Sequence, residues 1–142
     1  MYKGFRRFAA VAAPVLLAGS AVVGLTGTAT AATTAYSTDL TTLQNQCLAQ
    51  GEMTSPPNPL GSFTIPSTQV SYGSTGVCVA LVQTLLNDTG SYYSCNNGQL
   101  VAVDGQDGPD TTAVVKCVQK MRGLQVDGEV GPQTWSRIWF VN

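Results

Sequence analysis

The chain contains no histidine. That removes the Ser-His-Asp and Cys-His machinery of acyl transfer and the histidine-ligated zinc sites of many wall peptidases. Glutamate is almost as scarce, with only Glu52 and Glu129. The eight acidic residues could on paper supply the two carboxylates that a glycosidase needs. Most of them sit in turn-forming sequence, where solvation and turn chemistry already account for them. The four cysteines show no C-x-x-C spacing, so a cysteine-held zinc is not indicated either. These absences point to a protein that is not an enzyme and carries no metal or cofactor. There is no basic patch, which argues against nucleic acid and anionic lipid as partners.

Of the seven basic residues, Lys3, Arg6 and Arg7 stand at the very start. Phe8 to Leu25 is apolar and small, and Ala29-Thr30-Ala31 matches a small-x-small cleavage pattern. Residues 1–31 read as a secretory signal peptide. A retained membrane anchor is the alternative, since the apolar run approaches the length of a spanning helix. Cleavage after Ala31 leaves 111 residues with four basic and eight acidic groups, a net charge near −4. The expected product is secreted and extracellular, with no membrane contact once cleaved. Its acidity supplies no attraction to an anionic partner, so any binding to one must be local.

What the sequence does have is a phrase written twice. It reads V-D-G-Q-D-G-P-D-T at Val103–Thr111 and V-D-G-E-V-G-P-Q-T at Val126–Thr134. Asp-Gly supplies a turn, because glycine accepts positive φ and aspartate bonds nearby backbone. Gly-Pro then opens a helix, since proline costs nothing at the first helical position. The valine before each turn is expected to point inward. After the first copy, Val114, Val115, Val118 and Met121 recur at helical spacing, and Arg122-Gly123-Leu124 reads as a stop. After the second, Trp135 and Ile138 share one face of a short final helix. Upstream, Val79, Val82 and Leu86 form a third stripe that ends near Gly90. Asp104, Asp107 and Asp110 recur every three residues, but they fail the spacing of a calcium loop.

In an exported chain, Cys47, Cys78, Cys95 and Cys117 are expected to form disulfides. Three connectivities are open. The favoured one pairs Cys47 with Cys78 and Cys95 with Cys117. The first bridge would tie an N-terminal arm to the first helix of the domain, and the second would clamp the loop before the first turn to the second helix. In that arm, residues 32–73, Asp39 is placed to cap a brief helix bearing Leu40, Leu43, Cys47 and Leu48. Pro56, Pro57, Pro59 and Pro66 then argue against regular structure as far as about Thr75.

The stretch 74–142 resembles the three-helix peptidoglycan-binding domain found beside many bacterial wall hydrolases. The resemblance rests on Val82-Gln83, Asp104-Gly105 to Thr111, Val118-Gln119, Gly123-Leu124 and Asp127-Gly128 to Trp135. It implies an all-α fold, a small three-helix bundle with two D-G-x-x-G turns and a disulfide-tethered N-terminal arm. There are two departures. Asp107 stands where the first turn usually has an apolar residue, and Val118 stands where an aromatic usually precedes the glutamine. An aspartate cannot be buried unpaired without cost, so the first turn is expected to face water or a ligand. These departures bear on ligand affinity rather than on the fold.

Several residues are candidates for ligand contact. Tyr92 and Tyr93 lie in a loop, where binding groups often sit. Asp104, Asp107 and Asp127 belong to the turns. Gln119 and Arg122 flank the second, although Gln83 and Gln119 are better placed to hold loop backbone. Trp139 has an aromatic face for a sugar, whereas Trp135 reads as core. The resemblance implies a secreted, non-catalytic peptidoglycan-binding protein with a shallow groove between helices. Its expected partner is peptidoglycan, with a separate wall hydrolase as a further candidate. The alternatives are a secreted protein-interaction or inhibitor module on the same fold and, less favoured, a small wall hydrolase.

Overall fold

The computed structural model describes residues 35–59, 61–88 and 94–139. The proposed export segment, Gly90, Tyr92 and Tyr93 lie outside the described residues. The molecule is mostly helical. Among the described residues it has α1 (Leu40–Leu48), β1 (Glu52–Thr54), β2 (Thr64–Pro66), α2 (Val77–Asp88), α3 (Pro109–Met121) and α4 (Pro132–Ile138).

The fold centres on α2, which buries Cys78 through Gln83 together with Leu85 and Leu86. A helix apolar nearly all round must be covered on every side. The arm supplies much of that cover. α1 begins at Asp39, whose Oδ2 accepts the Thr42 N–H at 2.8 Å, and it buries Leu43 and Cys47. Leu40 and Leu48 are only partly buried. Cys47 is bonded to Cys78 and Cys95 to Cys117, the favoured connectivity. The described residues, within 35–139, belong to one compact unit.

The all-helical expectation needs one correction. β1 and β2 pair antiparallel, with Met53 opposite Ile65. The prolines expected to prevent this do not stand in the way. Pro56, Pro57 and Pro59 lie in the connection, and Pro66 ends β2 in a pair with no third strand. Ile65 is fully buried, so the pair seats a core side chain.

α3 and α4 start alike. Gly108 and Gly131 precede them with φ −90° and ψ near −175°, and Pro109 and Pro132 take the first turn of each helix. α3 stops as expected: Gly123 takes φ +66°, its N–H donates to Lys120 O, and the Leu124 N–H donates to Gln119 O. Two apolar assignments fail. Met121 and Val126 are about half exposed, because the core is closed at Val118 before the helix ends. Trp135 is fully buried, and its indole N–H donates to Thr68 O at 2.8 Å, fastening α4 to the arm.

Candidate functional site

The two turns are built on one device. Gln83, buried on α2, donates its Nε2 to Asp104 Oδ1 (2.9 Å), Gln106 O (3.0 Å) and Thr111 Oγ1 (3.2 Å). Its Oε1 accepts the N–H groups of Asp104 and Gly105. Gln119, one helix later, repeats this. Its Nε2 donates to Asp127 Oδ1 (2.7 Å), Glu129 O (2.9 Å) and Thr134 Oγ1 (3.2 Å), and its Oε1 accepts the Gly128 N–H. Each buried amide thus satisfies a turn backbone that would otherwise be left unpaired.

Each turn aspartate has one oxygen spent on this arrangement. Asp104 Oδ1 also accepts the Gln106 N–H, and Asp127 Oδ1 accepts the Glu129 N–H. These bonds hold both carboxyls below the ordinary aspartate pKa. For Asp104 the Gln83 amide is the main cause; for Asp127 it is the Glu129 N–H, with smaller help from the Gln119 amide and the nearby Lys116 charge. The turn glycines sit at positive φ, +68° at Gly105 and +82° at Gly128.

Around this shared frame the turns differ. Beside the second lies an open groove of about 520 Å³. One wall is a face of α3: Pro109, Thr112, Ala113 and Lys116, at i, i+3, i+4 and i+7. The other is the turn Asp127-Gly128-Glu129, and Ser71 and Tyr72 close one end. Tyr72 is 69 % exposed, an aromatic face offered to solvent. The Lys116 stem lies over Gly128, so closely that a Cβ there would come 2.8 Å from its Cε. Across the turn a second groove, about 210 Å³, runs past Gln69, Leu124, Gln125 and Pro132. Glu129 is steadied from that side by a hydrogen bond from the Gln69 amide.

Of the six described residues among the eight singled out from the sequence, Asp127 alone lines the larger groove. Asp104 is exposed at the first turn. Gln119 is 1 % exposed, and its two amide hydrogens already face three acceptors, so none is spare for a ligand. Arg122 caps α3 and lines neither groove. Trp139 is half-buried, edge-on to Trp135 with ring centroids 6.0 Å apart.

Asp107 departs most from expectation. It faces neither water nor an open groove but is 2 % exposed. Thr112 Oγ1 donates to its Oδ1 at 2.7 Å, and Oδ2 has no partner among the described residues. Backbone bonds from Asp107 N to Ser74 O and from Gly73 N to Asp107 O pin the residue inward. Burial pushes its carboxyl pKa up, and the Thr112 bond only partly offsets that. At the matching position Val130 is fully buried, paired with Val70.

Residues 75–138, which hold both turns and the larger groove apart from Ser71 and Tyr72, match the model of the peptidoglycan binding domain family. Residues 75–138 belong to the peptidoglycan-binding domain family. Relatives extend the likeness. One, described as an uncharacterized protein in the bpoA1 3′ region of Kitasatospora aureofaciens, is 30 % identical over 132 residues, 93 % of this chain and 89 % of the relative. A zinc D-Ala-D-Ala carboxypeptidase of Streptomyces albus G is 38 % identical over 79 residues, 56 % of this chain but 29 % of the enzyme. Among solved structures, a peptidoglycan-binding protein from Clostridioides difficile in complex with glutamine hydroxamate is 27 % identical. It aligns with a TM-score of 0.45 over 61 % of this chain and 56 % of its own. Neither Tyr72 nor Lys116 stood out in the sequence, although the polar spacing along α3 and an aromatic in a Ser/Gly loop were signals for both.

Proposed function

We propose that this is an exported, non-catalytic wall-binding protein that takes peptidoglycan into the groove beside its second turn. In this reading residues 1–31 direct export, 32–73 form the arm, and 74–142 form the binding domain. The observation that carries the reading is the open groove against the family's own turn, with an exposed Tyr72 ring at one end and Lys116 along its wall. An aromatic face packs on the apolar side of a sugar ring. Lys116 offers three donors to carbonyl or carboxylate oxygens, and Asp127 and Glu129 offer acceptors opposite. The overall negative charge gives no general attraction to the wall, so retention depends on these local contacts. The histidine-free sequence supports a role without catalysis. The interaction-module reading draws on Asp107 and on the disulfide-tied arm; the burial of Asp107 removes the first of these supports.

The test is co-sedimentation of the exported protein with insoluble peptidoglycan sacculi, with turbidity followed in the same tube. The expected result is enrichment without lysis, weakened in Tyr72→Ala and Lys116→Ala. Enrichment no greater than that of an unrelated acidic protein rejects wall binding. Falling turbidity rejects the non-catalytic part alone.

A further inference from the structure

We infer that the first turn carries a second saccharide-ring site, occupied in this structure by the chain's own Tyr36. A Cβ built on Gly105 would stand 2.2, 2.6 and 3.0 Å from three carbons of the Tyr36 ring, so the phenol lies directly on that turn. At the matching glycine of the second turn the covering atoms are different. They are the Lys116 stem and the Thr112 methyl, both from α3.

The clamp glutamines give the correspondence between the repeats. Lys116 and Thr112 stand three and seven residues before Gln119. Three and seven residues before Gln83 stand Ala80 and Gly76. Gly76 is adjacent to the first turn, since its N–H donates to Gly105 O at 2.9 Å. Two covering side chains are therefore missing from the first repeat, and the space over the turn backbone admits a ring. Tyr36 enters it from a distant segment and is half-buried against the core.

The site has chemistry suited to a pyranose. Its floor is a glycine peptide that allows close approach. The Asp104 carboxylate is exposed beside it, and only Oδ1 is used by the clamp and the Gln106 N–H. A pyranose chair, with an apolar face and equatorial hydroxyls, would take the place of the phenol, with a hydroxyl donating to Asp104. The proposed ligand is an N-acetylhexosamine of the wall glycan, an identification that rests on the wall-binding reading. Tyr36 acts as an internal competitor. With the ring in place only a fraction of molecules can bind, and apparent affinity falls by that fraction.

Amide NMR shifts test this, with peptide-free glycan strands titrated into wild type, Tyr36→Phe and Tyr36→Ala. In Tyr36→Ala the Gly105 and Gln106 amides and the Gln83 side-chain amide should move, at a concentration about tenfold or more below that needed in wild type. Tyr36→Phe, which keeps the ring, should follow wild type. In wild type itself, excess glycan should release the Tyr36 ring protons toward solvent-exposed shifts, a readout that does not depend on the variant's stability. First-turn amides that stay still in Tyr36→Ala overturn the inference, as does an unchanged Tyr36 ring under excess glycan. Gly128 and Glu129 report on the second groove separately, so shifts there with a silent first turn defeat this inference and leave the wall-binding reading intact. First-turn shifts without retention on sacculi do the reverse.

Discussion

The two turns share a skeleton and differ in what covers them. Each has an aspartate, a glycine at positive φ, a Gly-Pro helix start and a buried glutamine that stitches them together. The second is finished by its own neighbourhood. Val130 fills the core beneath it, the Lys116 stem lies over its glycine, and an open groove remains alongside. The first borrows its finish. Its core position holds a carboxylate, its glycine is covered by Tyr36, and the elements around it carry the ends of both disulfides. A repeated phrase can thus specify one backbone twice and still leave one copy beside an open groove and the other covered. The difference lies at one position of the phrase, Asp107 against Val130, and in residues outside it.

The largest test of this contrast is to remove a covalent tie. Cys78 opens α2, Cys95 lies in the loop leading to the first turn, and Cys117 sits on α3. Replacing Cys95 and Cys117 together by serine is expected to cost about 2–5 kcal/mol in chemical denaturation. Hydrogen exchange should show the first turn opening before the second, with the Gly105 amide losing protection ahead of Gly128. If both amides lose protection together, the two turns belong to one cooperative unit and the contrast in stability is wrong.

Breaking the amide clamps comes next. Gln83→Ala strands the Asp104 and Gly105 N–H groups, and Gln119→Ala strands the Gly128 N–H. Each leaves buried polar backbone unpaired and a cavity behind, for about 3 kcal/mol. The first should cost at least as much as the second, because Gln83 Oε1 satisfies two of these donors. Urea midpoints for the two variants decide it. A Gln83→Ala protein clearly more stable than Gln119→Ala would mean that the arm and disulfides hold the first turn without its clamp.

How far this was legible in the sequence follows the range of each interaction. The helix starts at Pro109 and Pro132, the stop at Gly123 and the glycines at positive φ are local, and local chemistry announced them. The clamp role of Gln119 was within reach because its amide lies 8 residues before Asp127, and the repeated phrase carries the same reading to Gln83, 21 residues before Asp104. What escaped depends on chain segments far apart. Tyr36 reaches Gly105, Thr68 receives the Trp135 indole, and Tyr72 closes a groove made by α3 and the second turn. Nothing near Asp107 in sequence says that Ser74 and Gly73 will draw its backbone inward. The cost of burying a carboxylate was read correctly, but the structure bears that cost where exposure was expected.

That cost gives the smallest and most specific prediction. Asp107→Val places in the first turn what the second already has. It removes a buried carboxylate whose Oδ2 lacks a partner among the described residues, at the loss of one hydrogen bond from Thr112, whose hydroxyl is only partly buried and can turn to water. The variant should be more stable by about 1–2 kcal/mol at neutral pH. The pH dependence has a definite sign. The folded pKa of Asp107 lies above its unfolded value, so the folded state binds the extra proton more readily. The penalty for burying the charge is complete above the folded pKa and fades as pH falls through it toward the ordinary carboxylate range. The gain from valine should therefore be largest at neutral pH and shrink on acidification. Asp39, Asp104 and Asp127 work the other way, since their lowered pKa values mean that acid removes stability. They are common to both proteins and cancel in the difference. Denaturation of the wild-type and Asp107→Val proteins across that acid range measures it. A difference that stays flat with pH would show that Asp107 titrates as it would in water, and that the first turn is as well finished as the second.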